Sequence, residues 1–70
     1  MKYDFSDMPN SQINHLIDEW IHNEKHRTVL KYRLLDGLTF ERISEIMQMS
    51  DRQIKYIVYK SEEQLFKHSR

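Results

Sequence analysis

Glycine and proline occur once each in this chain of 70 residues, at Gly37 and Pro9. These residues are the strongest punctuators of backbone structure. With so few of them, long segments run uninterrupted, which favours helices over strands joined by tight turns. No cysteine is present. Disulfides and cysteine-based zinc sites are therefore excluded as supports for a chain whose small core leaves it marginally stable. With 39% hydrophobic and 31% charged residues, the composition is globular rather than disordered. The expectation is an all-α protein: a single helical domain over residues 9–70, behind an N-terminal tail over residues 1–8.

The tail, MKYDFSDM, shows no period and is pinned, if at all, by Tyr3 and Phe5. Pro9 suits the first turn of a helix, with Asn10 and Ser11 as alternative starts. Ile13, Leu16, Ile17, Trp20 and Ile21 then recur at the spacing of one helical stripe. The register changes near Asn23, a weak breaker. Val29, Leu30, Leu34 and Leu35 form a second stripe, so residues 9–35 are either two helices or one bent helix. Asp36-Gly37 ends the segment, since Gly37 can take the left-handed conformation at a helix C-terminus.

Two short helices follow, separated by a tight turn. Thr39 is a good N-cap and Glu41 suits the first turn behind it. Phe40, Ile43, Ile46 and Met47 give this helix its expected buried face. Gln48-Met49 is the turn. Ser50-Asp51-Arg52-Gln53 is a capping box for the last helix, with Gln53 reaching back. Ile54, Ile57, Val58, Ser61 and Leu65 are its inward side. The whole is a small three- to four-helix bundle with a C-terminal helix-turn-helix over residues 39–66. A single core is expected to hold Ile13, Leu16, Trp20, Leu30, Leu34, Ile43, Ile54, Ile57 and Leu65.

Net charge is zero, but its distribution is uneven. Residues 1–24 hold one lysine against five acids, and residues 25–70 hold ten lysines and arginines against six. An acidic head on a basic body suits a negatively charged partner better than the total does. With the inward side of the last helix assigned, Asp51, Arg52, Lys55, Tyr56 and Tyr59 point outward. Arginine can read guanine edges, and lysine and tyrosine serve phosphates. A helix-turn-helix places such an N-terminal face in the major groove. The bland alternative is a solvated face, or tyrosines packed against the first helix. The pairing of two capped helices with a basic outer face on the second favours DNA.

The stretch from Arg27 to Leu65 resembles region 4 of bacterial sigma factors and small phage proteins built on it. The residues that carry the likeness are Val29-Leu30-Lys31-Tyr32-Arg33, Asp36-Gly37-Leu38-Thr39-Phe40-Glu41-Arg42-Ile43, Met49-Ser50 and Arg52-Gln53-Ile54-Lys55-Tyr56-Ile57. The resemblance implies that the last helix, about 51–66, enters the major groove, with Asp51, Arg52, Lys55 and Tyr56 at base-reading positions. It implies phosphate contacts from Thr39, Arg42 and Arg33. Two departures stand out. Gln48 replaces the usual turn glycine, and Asp51-Arg52 reverses the cation-then-acid order common in the family. A chain of 70 residues also lacks the sigma region that melts promoters, so no complete sigma factor is expected.

The expected function is sequence-selective DNA binding in transcription regulation. The partner is double-stranded DNA, with a homodimer or a second protein adding affinity. The alternative is a protein-binding module that mimics sigma region 4 and docks on RNA polymerase or another host factor without reading DNA. His22 and His26, four apart with His15 earlier, would share a metal face only on one continuous helix. Solvated histidines are the better reading, and no metal or cofactor is expected. No nucleophile–base pair is visible, so no enzyme is expected. No apolar run approaches a membrane span, the N-terminus has no signal-peptide core, and a cytoplasmic protein without membrane contact follows as the expectation.

Overall fold

The computed structural model describes Phe5 and residues 7–68. Tyr3, one of the two residues expected to pin the tail, lies outside them. Four helices follow in order: α1 (Asn10–Trp20), α2 (Glu24–Leu34), α3 (Phe40–Met47) and α4 (Asp51–His68), with no strand among the described residues. The architecture is an all-α bundle.

Residues 9–35 are two helices. Pro9 stands at the N-cap position of α1, and its carbonyl accepts from the backbone N–H groups of Gln12 and Ile13. The chain breaks at Ile21–Asn23 because Asn23 caps α2, its Oδ1 accepting from the His26 N–H at 3.1 Å. The Arg27 guanidinium donates to the carbonyls of Ile21 and His22 at 3.0 and 3.1 Å and locks this corner. Lys31 Nζ lies 2.9 Å from Asp18 Oδ1 and ties α2 back to α1. That bond from Lys31 is the main reason the Asp18 carboxyl sits below its ordinary pKa.

The apolar interior divides in two, which corrects the expectation of a single core. One cluster joins α1 to the far end of α4 through Ile13, Leu16, Ile17, Leu30 and Leu65. The other joins α2, α3 and the near end of α4 through Val29, Ile43, Ile54, Ile57 and Val58. The cause is length. The 18 residues of α4 run about 27 Å at 1.5 Å per residue, and the eight residues of α3 cover less than half of that. Neighbouring residues of α2, Val29 and Leu30, serve one cluster each.

Several single positions also differ from expectation. Trp20 is half-buried at the rim of the first cluster, and Ile21 is buried beside it. The Trp20 ring stacks on His68, with centroids 3.7 Å apart, and its carbonyl accepts from Gln64 Nε2 at 3.0 Å. Leu34 is half-buried. Ile46, expected inward, is 41% exposed. The buried face of α3 is centred on Ile43, with Phe40 and Met47 flanking it on one side. At 100° per residue, Ile46 falls on the other flank. Phe5 does pin its segment: it is buried and meets Phe66 edge-on at 6.4 Å.

Glu62 was not foreseen as buried, yet it is 2% exposed on the inward side of α4 beside Ser61. Its Oε2 has no hydrogen-bond partner among the described residues. Burial pushes its carboxyl above the ordinary value of 4.5, and the attraction of Arg33 offsets this only in part.

Two measurements test this packing. Ile54 is fully buried, so Ile54→Ala is expected to cost about 2–5 kcal/mol in denaturant unfolding. A variant that melts like the parent would show that the inward face of α4 is misassigned. For Glu62, the folded form keeps its proton in a pH window where the unfolded chain has lost it. Stability contributed by this group therefore falls as pH rises from about 4.5 through the raised folded value. Glu62→Gln should accordingly be more stable than the parent near neutral pH, and the difference should shrink as pH drops below that window.

Candidate nucleic-acid interface

Three local devices present α4. Thr39 caps α3, its Oγ1 accepting from the Arg42 N–H at 3.1 Å. Gln48 ends α3 in the left-handed region, at φ 56° and ψ 45°, and the Met49 N–H closes the turn on the Ser44 carbonyl at 3.1 Å. Ser50 and Gln53 then form the reciprocal capping box. The Gln53 N–H donates to Ser50 Oγ, and the Ser50 N–H donates to Gln53 Oε1, both at 3.2 Å. A left-handed turn between two capped helices turns the chain sharply, so that α4 packs its Ile54–Ile57–Val58 side against α2 and α3.

Before the turn, the loop from α2 to α3 is also held. Arg33 Nη1 donates to the Leu38 carbonyl at 2.8 Å, and the Leu38 N–H donates to the Tyr32 carbonyl. The Arg33 guanidinium lies 4.4 Å from the centroid of the Phe40 ring. Arg33 is half-buried and engaged inside the protein, so its evident work is to brace the start of α3.

The remaining sequence-derived site residues are all exposed: Thr39, Arg42, Asp51, Arg52, Lys55, Tyr56 and Tyr59. They do not form one patch. Lys55 and Tyr59 lean towards α3. The Tyr59 ring meets Phe40 edge-on at 5.8 Å, and Lys55 Nζ lies 5.9 Å from the same ring. Arg52 and Tyr56 take the other flank, beside Gln53 and His26, where they line an apolar hollow floored by Met49 and Ile57. Asp51 opens α4, where its charge favours the positive helix N-terminus. Arg42 is exposed on α3, and among the described residues its guanidinium forms no ion pair.

Sequence reasoning missed Lys60 and His26 on the Arg52 flank. The signal was present: Arg52, Tyr56, Lys60 and Gln64 recur every four residues and so share a ridge of α4. His22 and His26 do not share a helix, since His22 precedes the α2 cap and His26 follows it. Among the described residues, no group of three or more histidine, cysteine, aspartate or glutamate side chains is placed to hold a metal ion, and no helix is long and apolar enough to cross a membrane.

Compared with protein-family models, curated proteins and solved structures, the chain matches none. Its own geometry is therefore the ground for a functional reading.

The turn at Gln48 gives a direct check on how α4 is held. A left-handed backbone costs a residue with a Cβ about 1–2 kcal/mol, and glycine avoids that cost while losing more chain entropy. Gln48→Gly should therefore stabilise the fold by about 0.5–1 kcal/mol, seen as a melting temperature raised by several degrees. A fall in melting temperature would mean that the Gln48 side chain contributes more than its backbone strain takes away.

Proposed function

We propose that this protein binds DNA sequence-selectively and acts in transcription regulation, with α4 as the recognition helix in the major groove. The observation that carries this reading is the division of α4 into two faces. Its inward side is covered by α1, α2 and α3, while Asp51, Arg52, Lys55 and Tyr56 stand exposed on its first turns, beyond a short helix and a tight turn. In a helix-turn-helix this is the part that reaches base edges.

The residues take separable roles. Arg52 is long, exposed and near the positive end of the helix, so it reads a base. Lys55, Tyr56 and Tyr59 extend the contact along the groove. Arg42 and Thr39, at the start of α3, meet phosphate. Asp51 stabilises the helix start rather than accepting from cytosine. A single small module covers limited DNA surface, so a second copy or a second protein supplies the rest of the affinity. Ile46, exposed on α3, is the best surface for the competing reading, in which the domain docks on RNA polymerase or another protein without touching DNA.

Gel-shift titrations at two salt concentrations test the proposal, once a preferred site has been selected from random duplexes. Arg52→Ala should lose about 1–3 kcal/mol on the preferred site and little on random DNA. Arg42→Ala should weaken all sequences alike and make the log–log salt slope shallower by about one. Absence of duplex binding at low salt, together with capture of polymerase that Ile46→Lys abolishes, would replace the DNA reading with the docking one.

A further inference from the structure

The Arg52 flank of α4 continues past the recognition face. Two adjoining hollows, of about 310 and 450 Å³, share His26, Tyr56 and Ile57 as lining residues. Together they form a trough between the α1–α2 corner and α4. One wall is the ridge of Arg52, Tyr56, Lys60 and Gln64. The other is the corner itself, with Trp20, His22 and His26.

The floor of this trough is apolar, from Trp20, Ile21, Met49 and Ile57, and the charge along its rim is one-sided. The chain carries 11 aspartates and glutamates, yet among the described residues no carboxylate lines either hollow. Arg52 and Lys60 are the basic side chains of the α4 wall. Lys60 Nζ sits 5.9 Å from the Tyr56 ring centroid, held at the lip. The titratable neighbours among the described residues are these. On the corner side, Arg27 is turned away to the carbonyls of Ile21 and His22. Glu24 and Lys25 are exposed in the first turn of α2, outside the lining of both hollows. At the far end His68 stacks on Trp20. On α4, Glu63 lies outside both hollows but lines the next one along, which shares Lys60 and Gln64 with the trough, and Lys67 Nζ is 4.0 Å from it.

We infer that this trough seats the phosphodiester backbone of the DNA whose bases α4 reads, and that His22 and His26 strengthen that seat when protonated. The inference rests on the reading of α4 as a DNA-binding helix and adds a second contact region to it. Arg52 belongs to both regions, so a strand leaving the recognition face meets the trough without a gap. The trough offers donors suited to phosphate: the Lys60 ammonium, the Tyr56 hydroxyl and the two imidazoles. A neutral imidazole has one N–H to give and a protonated one has two, with a positive charge. Histidine changes charge in the range of about pH 5–8. Affinity for duplex DNA therefore rises as pH falls through that range.

Fluorescence anisotropy with a labelled mixed-sequence duplex tests this, using salt series at about pH 6 and about pH 8. The proteins are the parent, His22→Gln/His26→Gln and Lys60→Gln, each checked by circular dichroism for an unchanged fold. Each phosphate newly neutralised adds about 0.9 to the log–log salt slope. The parent should bind more tightly at the lower pH, with a slope steeper by about one to two. The double histidine variant should lose most of that pH response and match the parent at the higher pH. Lys60→Gln should weaken binding at both pH values and lower the slope by about one. If the parent binds duplex but the double variant keeps the full pH response, or Lys60→Gln changes nothing, the trough is not a phosphate seat and the reading of α4 stands. If the parent binds no duplex at about 50 mM salt at either pH, the reading of α4 fails and the seat fails with it.

Discussion

Everything in this fold hangs on the way α2 faces two directions at once. Val29 and Leu30 are adjacent and both fully buried, yet they belong to different clusters. Successive residues on a helix are rotated by about 100°, so one helix can act as a shared wall between two small interiors. On one side α1 closes against it, and on the other α3 does. Both interiors are roofed by α4, which is long enough to reach across. Neither cluster would be large enough to stand alone in a domain of this size. The helix that carries the candidate recognition face is therefore also the one that joins the two halves.

That double duty explains why α4 is so firmly specified at its start. The left-handed Gln48, the Met49–Ser44 hydrogen bond and the Ser50–Gln53 box all act between Ser44 and Gln53. On the α2 side, Arg33 closes the loop and lies over Phe40, which itself meets Tyr59 of α4. A recognition surface needs side chains projected from a rigid support. Here the support is built from backbone carbonyls, one aromatic ring and two caps rather than from a large core.

Much of this was legible in the sequence because helices announce themselves locally. The capping box, the Thr39 cap, the break at Gly37 and the stripe Ile54–Ile57–Val58–Leu65 are patterns within a few residues of each other, and each stands in the structure as the pattern implies. What was hidden depends on lengths and on partners far along the chain. Ile46 and Met47 are equally apolar, and only the position of α4 decides that Met47 is the better covered. Glu62 reads as a solvent residue, and its burial follows from where the bundle closes over α4. The candidate interface was visible as a face of α4, but its split into two flanks was not. That split comes from Phe40 drawing Lys55 and Tyr59 to one side and from the corner before α2 flanking Arg52 and Tyr56 on the other.

The contact between Trp20 and His68 has a use of its own. The chain holds one tryptophan, and its ring lies parallel to an imidazole on the last turn of α4. Its emission therefore reports on a single place, the end of α4 remote from the turn at Gln48. Far-ultraviolet dichroism reports on all four helices together. Two optical signals from an unlabelled molecule thus view the α1 end and the whole bundle separately. Their coincidence or separation during unfolding would show whether the two clusters melt as one unit.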